Sequence, residues 1–121
     1  MVKSILILDD NSEALGGLIK KLAGAKMNVR VCFSPEHALK EIKIEAPGLL
    51  IAAGRFADMT AGDFAARAYE AKSIPSFVVL DKAGDETQGA MRRHPGIIGT
   101  YFKPLNEEKL LARVRKFFEP S

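Results

Sequence analysis

The sequence predicts an α/β domain in which a parallel sheet is covered by helices on both faces. Three observations support this fold class. Five short apolar segments of strand length alternate with segments whose apolar residues recur at helical spacing. The strand segments are nearly continuous apolar runs, which is typical of parallel strands buried on both faces. The connections between segments are short, as expected within one α/β unit.

The strand segments carry the clearest signal. In chain order they are SILIL (residues 4–8), NVRVCF (28–33), LLIAA (49–53), SFVVL (76–80) and IIGTYF (97–102). A helix is predicted after each of them. The weakest of these helices covers residues 85–93, because Gly89 interrupts it and a Pro-Gly pair follows it.

Polar residues that favour the start of a helix precede the other four helical segments. They are Asn11 or Ser12, Ser34 followed by Pro35, Thr60 paired with Asp63, and Asn106. The side chain of such a residue accepts a hydrogen bond from an unpaired backbone N–H in the first turn. Proline suits the first helical position, and Thr60 with Asp63 resembles a capping box with Asp in place of Glu.

Length and composition indicate one soluble globular domain that covers residues 1–121. The chain has 121 residues, of which 47% are hydrophobic and 27% charged. No apolar run approaches the roughly 20 residues needed to span a bilayer, and the N-terminus does not read as a signal peptide. Cys32 is the single cysteine and is predicted to be a buried strand residue. We therefore expect a cytoplasmic protein that does not associate with membranes.

Positive charge is concentrated in the last third of the chain. The net charge is +3, yet residues 88–118 contain seven bases and two acids. The bases are Arg92, Arg93, Lys103, Lys109, Arg113, Arg115 and Lys116. Two interpretations stay open, namely attraction of an acidic partner and a solvated helix face. Direct binding to nucleic acid is not favoured, because no aromatic residues interleave with these bases and no helix-turn-helix pattern is present.

Polar residues also follow the strands, where an open α/β sheet places its chemistry. The strand ends are Asp9-Asp10, Ala53-Gly54, Leu80-Asp81 and Lys103-Pro104. Asp9 and Asp10 are suited to hold Mg²⁺, and Lys103 is suited to contact a phosphoryl oxygen or to pair with an acid. No catalytic triad can be assembled from these residues or the two histidines, so an enzyme is not expected.

The segments ILILDDN, CFSPEHALKEI, APGLLIAAGRFADMTA, IPSFVVLDKAGDE and YFKPLNEEKLLARV together resemble the receiver domain of two-component response regulators. The resemblance covers nearly the whole chain. It implies a flavodoxin-like (CheY-like) fold with five parallel strands in the order 2-1-3-4-5 and five helices. Receivers accept a phosphoryl group from a histidine kinase on an aspartate that ends the third strand. In this sequence Asp9 and Asp10 match the family's acidic pair, and Lys103-Pro104 matches its Lys-Pro pair.

The sequence departs from the family pattern at several positions. Ala53 stands at the acceptor position, and either Leu80 or Asp81 stands where receivers have Ser or Thr. Ala57 replaces the proline that usually follows the acceptor, and Thr100 falls where the family often has an aromatic residue. Alanine has no oxygen for attack on a phosphohistidine. The loss of one carboxylate also weakens Mg²⁺ binding, so we expect weak or absent binding at Asp9 and Asp10.

The resemblance and these departures predict a receiver domain that acts as a protein interaction module without phosphorylation. The predicted contact residues are Arg92, Arg93, Tyr101 and Arg113. The expected partner is a signalling protein or an effector domain, for example a histidine kinase or a second receiver.

Two alternatives stay open. In one, Asp58 accepts the phosphoryl group in place of Ala53. In the other, a small ligand occupies the space at Ala53 and Gly54, bordered by Asp9, Asp10, Asp81 and Lys103.

Overall fold

A parallel sheet of five strands lies at the centre of the structure, a computed structural model that describes residues 3–10, 12–56, 59–80, 94–103 and 105–119. The elements in chain order are β1 (Ser4–Asp9), α1 (Ser12–Gly24), β2 (Asn28–Cys32), α2 (Pro35–Ile44), β3 (Leu49–Ala53), β4 (Arg55–Phe56), β5 (Met59–Thr60), α3 (Ala61–Lys72), β6 (Ser76–Leu80), β7 (Ile97–Phe102) and α4 (Glu107–Phe118). None of the described helices has the length and apolar character that crossing a membrane requires.

The strand order of the central sheet is β2-β1-β3-β6-β7, and all neighbours are parallel. The α/β class and the five-stranded parallel sheet are confirmed. Numbered through all strands of the chain, the order is 2-1-3-6-7 and not the predicted 2-1-3-4-5. The difference arises because β4 and β5 form a separate antiparallel pair between the third and sixth strands. The described residues contain four helices, not five, since the helix predicted at residues 85–93 lies outside them.

The antiparallel pair β4–β5 sits directly after the carboxyl end of β3. Arg55 pairs with Thr60, and Phe56 pairs with Met59. Phe56 and Met59 are half-buried against the core. Strands of two residues are too short to show any periodicity, which explains why the sequence did not predict them.

Alternate side chains of the central strands enter two separate apolar cores. The first lies between the sheet and helices α2 and α3, and it includes Leu6, Leu8, Ala38, Phe64 and Val78. The second lies between the sheet and helices α1 and α4, and it includes Ile5, Leu18, Ile51, Phe77 and Leu110. Full burial of one such aliphatic or aromatic side chain contributes roughly 1.5–3 kcal/mol. Exposed ion pairs contribute about 0–1 kcal/mol each, so these cores dominate the stability.

Three of the predicted helix starts are confirmed by their hydrogen bonds. The backbone N–H of His37 donates to the Ser34 hydroxyl over 3.2 Å, with Pro35 at the first helical position. Thr60 and Asp63 form the reciprocal capping box over 3.1 Å in each direction. Asn106 accepts from the N–H of Lys109 over 3.0 Å. Each of these caps contributes about 1 kcal/mol to helix stability.

The edge strand β7 contains an irregularity that the sequence did not predict. Ser76 pairs with Ile97, but Phe77 pairs with Gly99, so Ile98 is an extra residue on β7. Such a bulge interrupts the ladder and is common on edge strands. Ile98 is exposed as a result, whereas Ile97 belongs to the first core.

Candidate functional site

The carboxyl ends of the central strands place four residues in one row across the sheet. Asp9 pairs in register with Ala53, Ala53 with Val79, and Val79 with Tyr101. Ala53, Val79 and Tyr101 belong to the core beneath α1 and α4, and Asp9 shares their face by the alternation of β1. Asp9 and Ala53 are both 0% exposed. The predicted acceptor position is therefore a buried methyl group next to a buried carboxylate.

Gly54 turns the chain out of the sheet immediately after this row. Its φ is +97°, a backbone conformation that favours glycine. A Cβ atom at this position would overlap the carboxylate of Asp10, so that carboxylate lies directly against the Gly54 Cα. The N–H of Ala61 donates to the Gly54 carbonyl over 3.2 Å and holds the start of α3 to the end of β3. Position 54 thus favours glycine chiefly for its dihedral angle, since the Asp10 carboxylate is the end of an exposed side chain that can turn aside.

Leu80 and Lys103 are brought together at the other end of the same edge. The N–H of Lys103 donates to the Leu80 carbonyl over 2.9 Å, and Leu80 pairs with Phe102. Leu80 packs into the core beneath α2 and α3, whereas Ala53 packs into the core beneath α1 and α4. The Leu80 side chain therefore contributes to packing and offers no hydrogen bond to the edge. Lys103 is half-buried.

The donor set at this edge suits Mg²⁺ poorly. Mg²⁺ requires near-octahedral oxygen ligands at short distance. Asp9 and Asp10 supply carboxylates, but the register places the methyl group of Ala53 beside Asp9. Among the described residues, no group of three or more His, Cys, Asp or Glu side chains is arranged to hold a metal ion. Among the described residues, Ala53 therefore leaves this edge without the third carboxylate that the resemblance in sequence implies for a Mg²⁺ site.

Two of the four predicted contact residues meet on one buried side chain. The ring of Tyr101 packs edge-to-face on Phe77, with centroids 5.6 Å apart and planes at 87°. The guanidinium carbon of Arg113 lies 5.7 Å from the centroid of the same ring. Phe77, which the sequence showed only as an apolar strand residue, therefore joins β7 to α4. The other two predicted contact residues, Arg92 and Arg93, lie outside the described residues, as do Asp58, Asp81 and Pro104.

Helices α1 and α4 are linked by a charge cluster that the sequence did not predict. Lys21 Nζ lies 2.5 Å from Glu108 Oε1 and 3.9 Å from Glu107 Oε1. The carboxylate of Glu107 lies against Gly17 of α1, where any side chain would displace it. The hydrogen bond between Lys21 and Glu108 raises the pKa of the lysine and lowers the pKa of the glutamate. The partners are 87 residues apart in the chain, so no local pattern indicates the contact.

Comparison with known proteins shows a likeness in structure. No protein-family profile and no curated protein matches the sequence. A response regulator receiver domain protein (CheY-like) from Methanospirillum hungatei superposes with a TM-score of 0.85 at 20% identity, over 96% of this chain and 93% of that one. A putative response regulator from Chloroflexus aurantiacus gives a TM-score of 0.81 at 24% identity, over 97% and 98% of the two chains.

A third solved structure is a longer protein. NtrX from Brucella abortus gives a TM-score of 0.84 at 18% identity and matches 97% of this chain, but only 27% of its own length is covered. At these identities the comparisons show the fold. The chain has the flavodoxin-like fold of CheY-like response regulator receiver domains.

Proposed function

We propose that this chain is a receiver-like interaction module of two-component signalling that works without a phosphoryl group at the end of β3. One observation carries the proposal. Ala53, at the carboxyl end of β3, is fully buried between its register partners Asp9 and Val79. A methyl group has no lone pair to attack a phosphohistidine, and no oxygen to coordinate a metal. The reaction that defines an ordinary receiver thus has no nucleophile at this position.

The surroundings of Ala53 support the same conclusion. Leu80 packs into the opposite core and offers no hydrogen bond to a phosphoryl oxygen. The carboxylate of Asp10 lies against Gly54, the residue that follows Ala53. Ala53 and Leu80 are both buried packing residues. In this proposal the chain acts by binding and is not an enzyme.

The proposed contact surface is the part of β7 and α4 that carries Tyr101 and Arg113. Tyr and Arg are the residue types that contribute most to binding energy at protein interfaces. Here Phe77 holds both in place, which reduces the conformational entropy lost on binding. The proposed partner is a signalling protein or an effector domain. The likeness to about a quarter of NtrX supports this class of partner, because the same fold occurs there within a longer chain.

Mass spectrometry after incubation with acetyl phosphate and Mg²⁺ tests the proposal. We expect the intact mass to stay unchanged, while an ordinary receiver with an acceptor aspartate gains a phosphoryl group under the same conditions. A phosphoryl group on any aspartate of this chain would contradict the proposal. Peptide mapping then separates the alternatives, since modification of Asp58 would support the relocated acceptor and modification of Asp9 or Asp10 would indicate a different chemistry at the β1 end.

A further inference from the structure

Three bases form a line along one face of α4. Lys109, Arg113 and Lys116 are spaced by four and three residues, which places them above one another on a helix. The line is about 10 Å long at 1.5 Å per residue. Lys109 and Lys116 are exposed, and Arg113 is half-buried. We call these three residues the basic stripe.

The acids of α4 lie away from the basic stripe. Glu107 and Glu108 both approach Lys21 of α1, so their charge is directed to the α1 side of the helix. Strand β7, whose Tyr101 packs on the same Phe77 ring as Arg113, contains no acidic residue. The described residues of α4 and β7 contain no other acid, and Glu119, the C-terminal cap of α4, follows Lys116 by three residues at the end of the stripe.

The central residue of the basic stripe is positioned before any partner arrives. The Arg113 guanidinium lies over the buried Phe77 ring, on which the ring of Tyr101 also packs edge-to-face. A guanidinium in contact with an aromatic ring keeps its charge and its hydrogen-bond donors. A planar donor held in this way is suited to a carboxylate, which can accept two parallel hydrogen bonds from it.

We propose that the basic stripe is a docking site for an acidic segment of a partner protein. This inference rests on the proposed function and adds the chemistry of the partner. A second copy of this chain is disfavoured for a two-fold interface whose axis passes through the basic stripe, because that axis would set the same bases against each other. Nucleic acid is disfavoured because three charges make few phosphate contacts.

Amide NMR of the isotope-labelled chain during titration with poly-L-glutamate tests the proposal. We expect saturable shifts at Tyr101, Lys109, Arg113 and Lys116. The variant K109E/R113E/K116E should bind at least about tenfold more weakly, since three charge pairs are lost and replaced by repulsion. The matched control is K20E/K40E/K43E, which reverses three exposed lysines on α1 and α2. Its affinity should stay within about twofold of the unmodified chain.

The double variant K109E/K116E leaves Arg113 on Phe77 and serves if the triple variant does not fold. Equal loss of binding in the stripe variant and in the control would overturn the proposal. Tighter binding of oligothymidylate, with a steep salt dependence, would replace it with a nucleic-acid site. If the unmodified chain sediments as a dimer at low salt and the stripe variant sediments as a monomer, self-association would replace the acidic partner.

The same labelled sample separates this proposal from the proposed function. Mg²⁺ and beryllofluoride are added in a parallel titration, and the amides of Asp9 and Gly54 are followed. If those amides keep their shifts and poly-L-glutamate shows no stripe-specific binding, the docking site on the basic stripe is rejected and the proposed function is not. A saturable response at those amides would reject the proposed function, whatever the stripe does.

Discussion

Substitution of Ala53 by Asp restores a carboxylate at the end of β3, and its cost follows from the register. Position 53 pairs with Asp9, and both residues are 0% exposed. Neighbouring strands lie about 5 Å apart, so two carboxylates there repel by about 3 kcal/mol at an effective dielectric constant of about 20. Protonation of one carboxyl at pH 7 instead costs about 4 kcal/mol from an ordinary pKa near 4. We expect Ala53→Asp to lose about 3–4 kcal/mol of the free energy of unfolding.

Urea unfolding followed by far-UV circular dichroism measures this loss. With a slope of about 1–3 kcal/mol per molar urea, the midpoint should fall by roughly 1–4 M. Mg²⁺ should then restore part of the stability of Ala53→Asp, by about 2.7 kcal/mol at a concentration about 100 times its dissociation constant. Ala53→Asn is the matched control, because it has nearly the same shape and no added charge. We expect neither this variant nor the unmodified chain to respond to Mg²⁺.

Two results would refute the reasoning. An unchanged midpoint for Ala53→Asp without Mg²⁺ would show that position 53 is not buried beside the Asp9 carboxylate. Equal responses of Ala53→Asp and Ala53→Asn to Mg²⁺ would show that a third carboxylate does not complete a metal site here.

Three further predictions concern individual residues. Gly54→Ala should lower the free energy of unfolding in urea by about 1–3 kcal/mol, because φ at this position is +97° and the added methyl group would meet the Asp10 carboxylate. The control is Gly16→Ala on α1, where the methyl group meets open space, and we expect it to be neutral or stabilising. The ion pair of Lys21 and Glu108 should stabilise the fold fully above pH 4.5. This stabilisation should be lost as the pH falls through the lowered pKa of Glu108 in the folded chain. The thermal midpoints of the unmodified chain and of Glu108→Gln should therefore converge in acid. At alkaline pH the stabilisation by the same ion pair should be lost only above pH 10.5, since the pKa of Lys21 is raised in the folded chain. Burial raises the pKa of the Cys32 thiol, with a smaller contribution from a nearby glutamate. At one pH, the folded chain should therefore react with a disulfide reagent far more slowly than the urea-unfolded chain. Equal reaction rates would contradict the burial of Cys32.

The parts of the fold that the sequence predicted depend on local signals. Continuous apolar runs located β1, β3 and β6, because parallel strands with both faces covered need apolar side chains on both, whereas β2 was recognised by its alternation. Ser34, Thr60 and Asn106 were recognisable as caps because a cap acts on a backbone N–H within the same turn. The alignment of Asp9 with Ala53 followed from the rule that the carboxyl ends of parallel strands share one edge.

The parts that were missed depend on contacts between distant residues or on very short elements. The contact of Asp10 with Gly54 and the ion pair of Lys21 with Glu108 join residues 44 and 87 positions apart, and neither leaves a periodic trace. Phe77 reads as one more apolar residue of a strand, although it holds both Tyr101 and Arg113. Strands of two residues and a single-residue bulge likewise fall below the length at which a pattern can be recognised.

The central claim is that the edge formed by Asp9, Ala53 and Gly54 no longer responds to the ligands of a phosphorylated receiver. Its most direct test is the backbone amide NMR spectrum during addition of Mg²⁺ and then of beryllofluoride, a phosphoryl mimic. We expect the amides of Asp9, Asp10, Gly54 and Lys103 to keep their shifts in both steps. Saturable shifts at these amides that extend to Tyr101 on β7 would show that the edge still switches, and would contradict the claim.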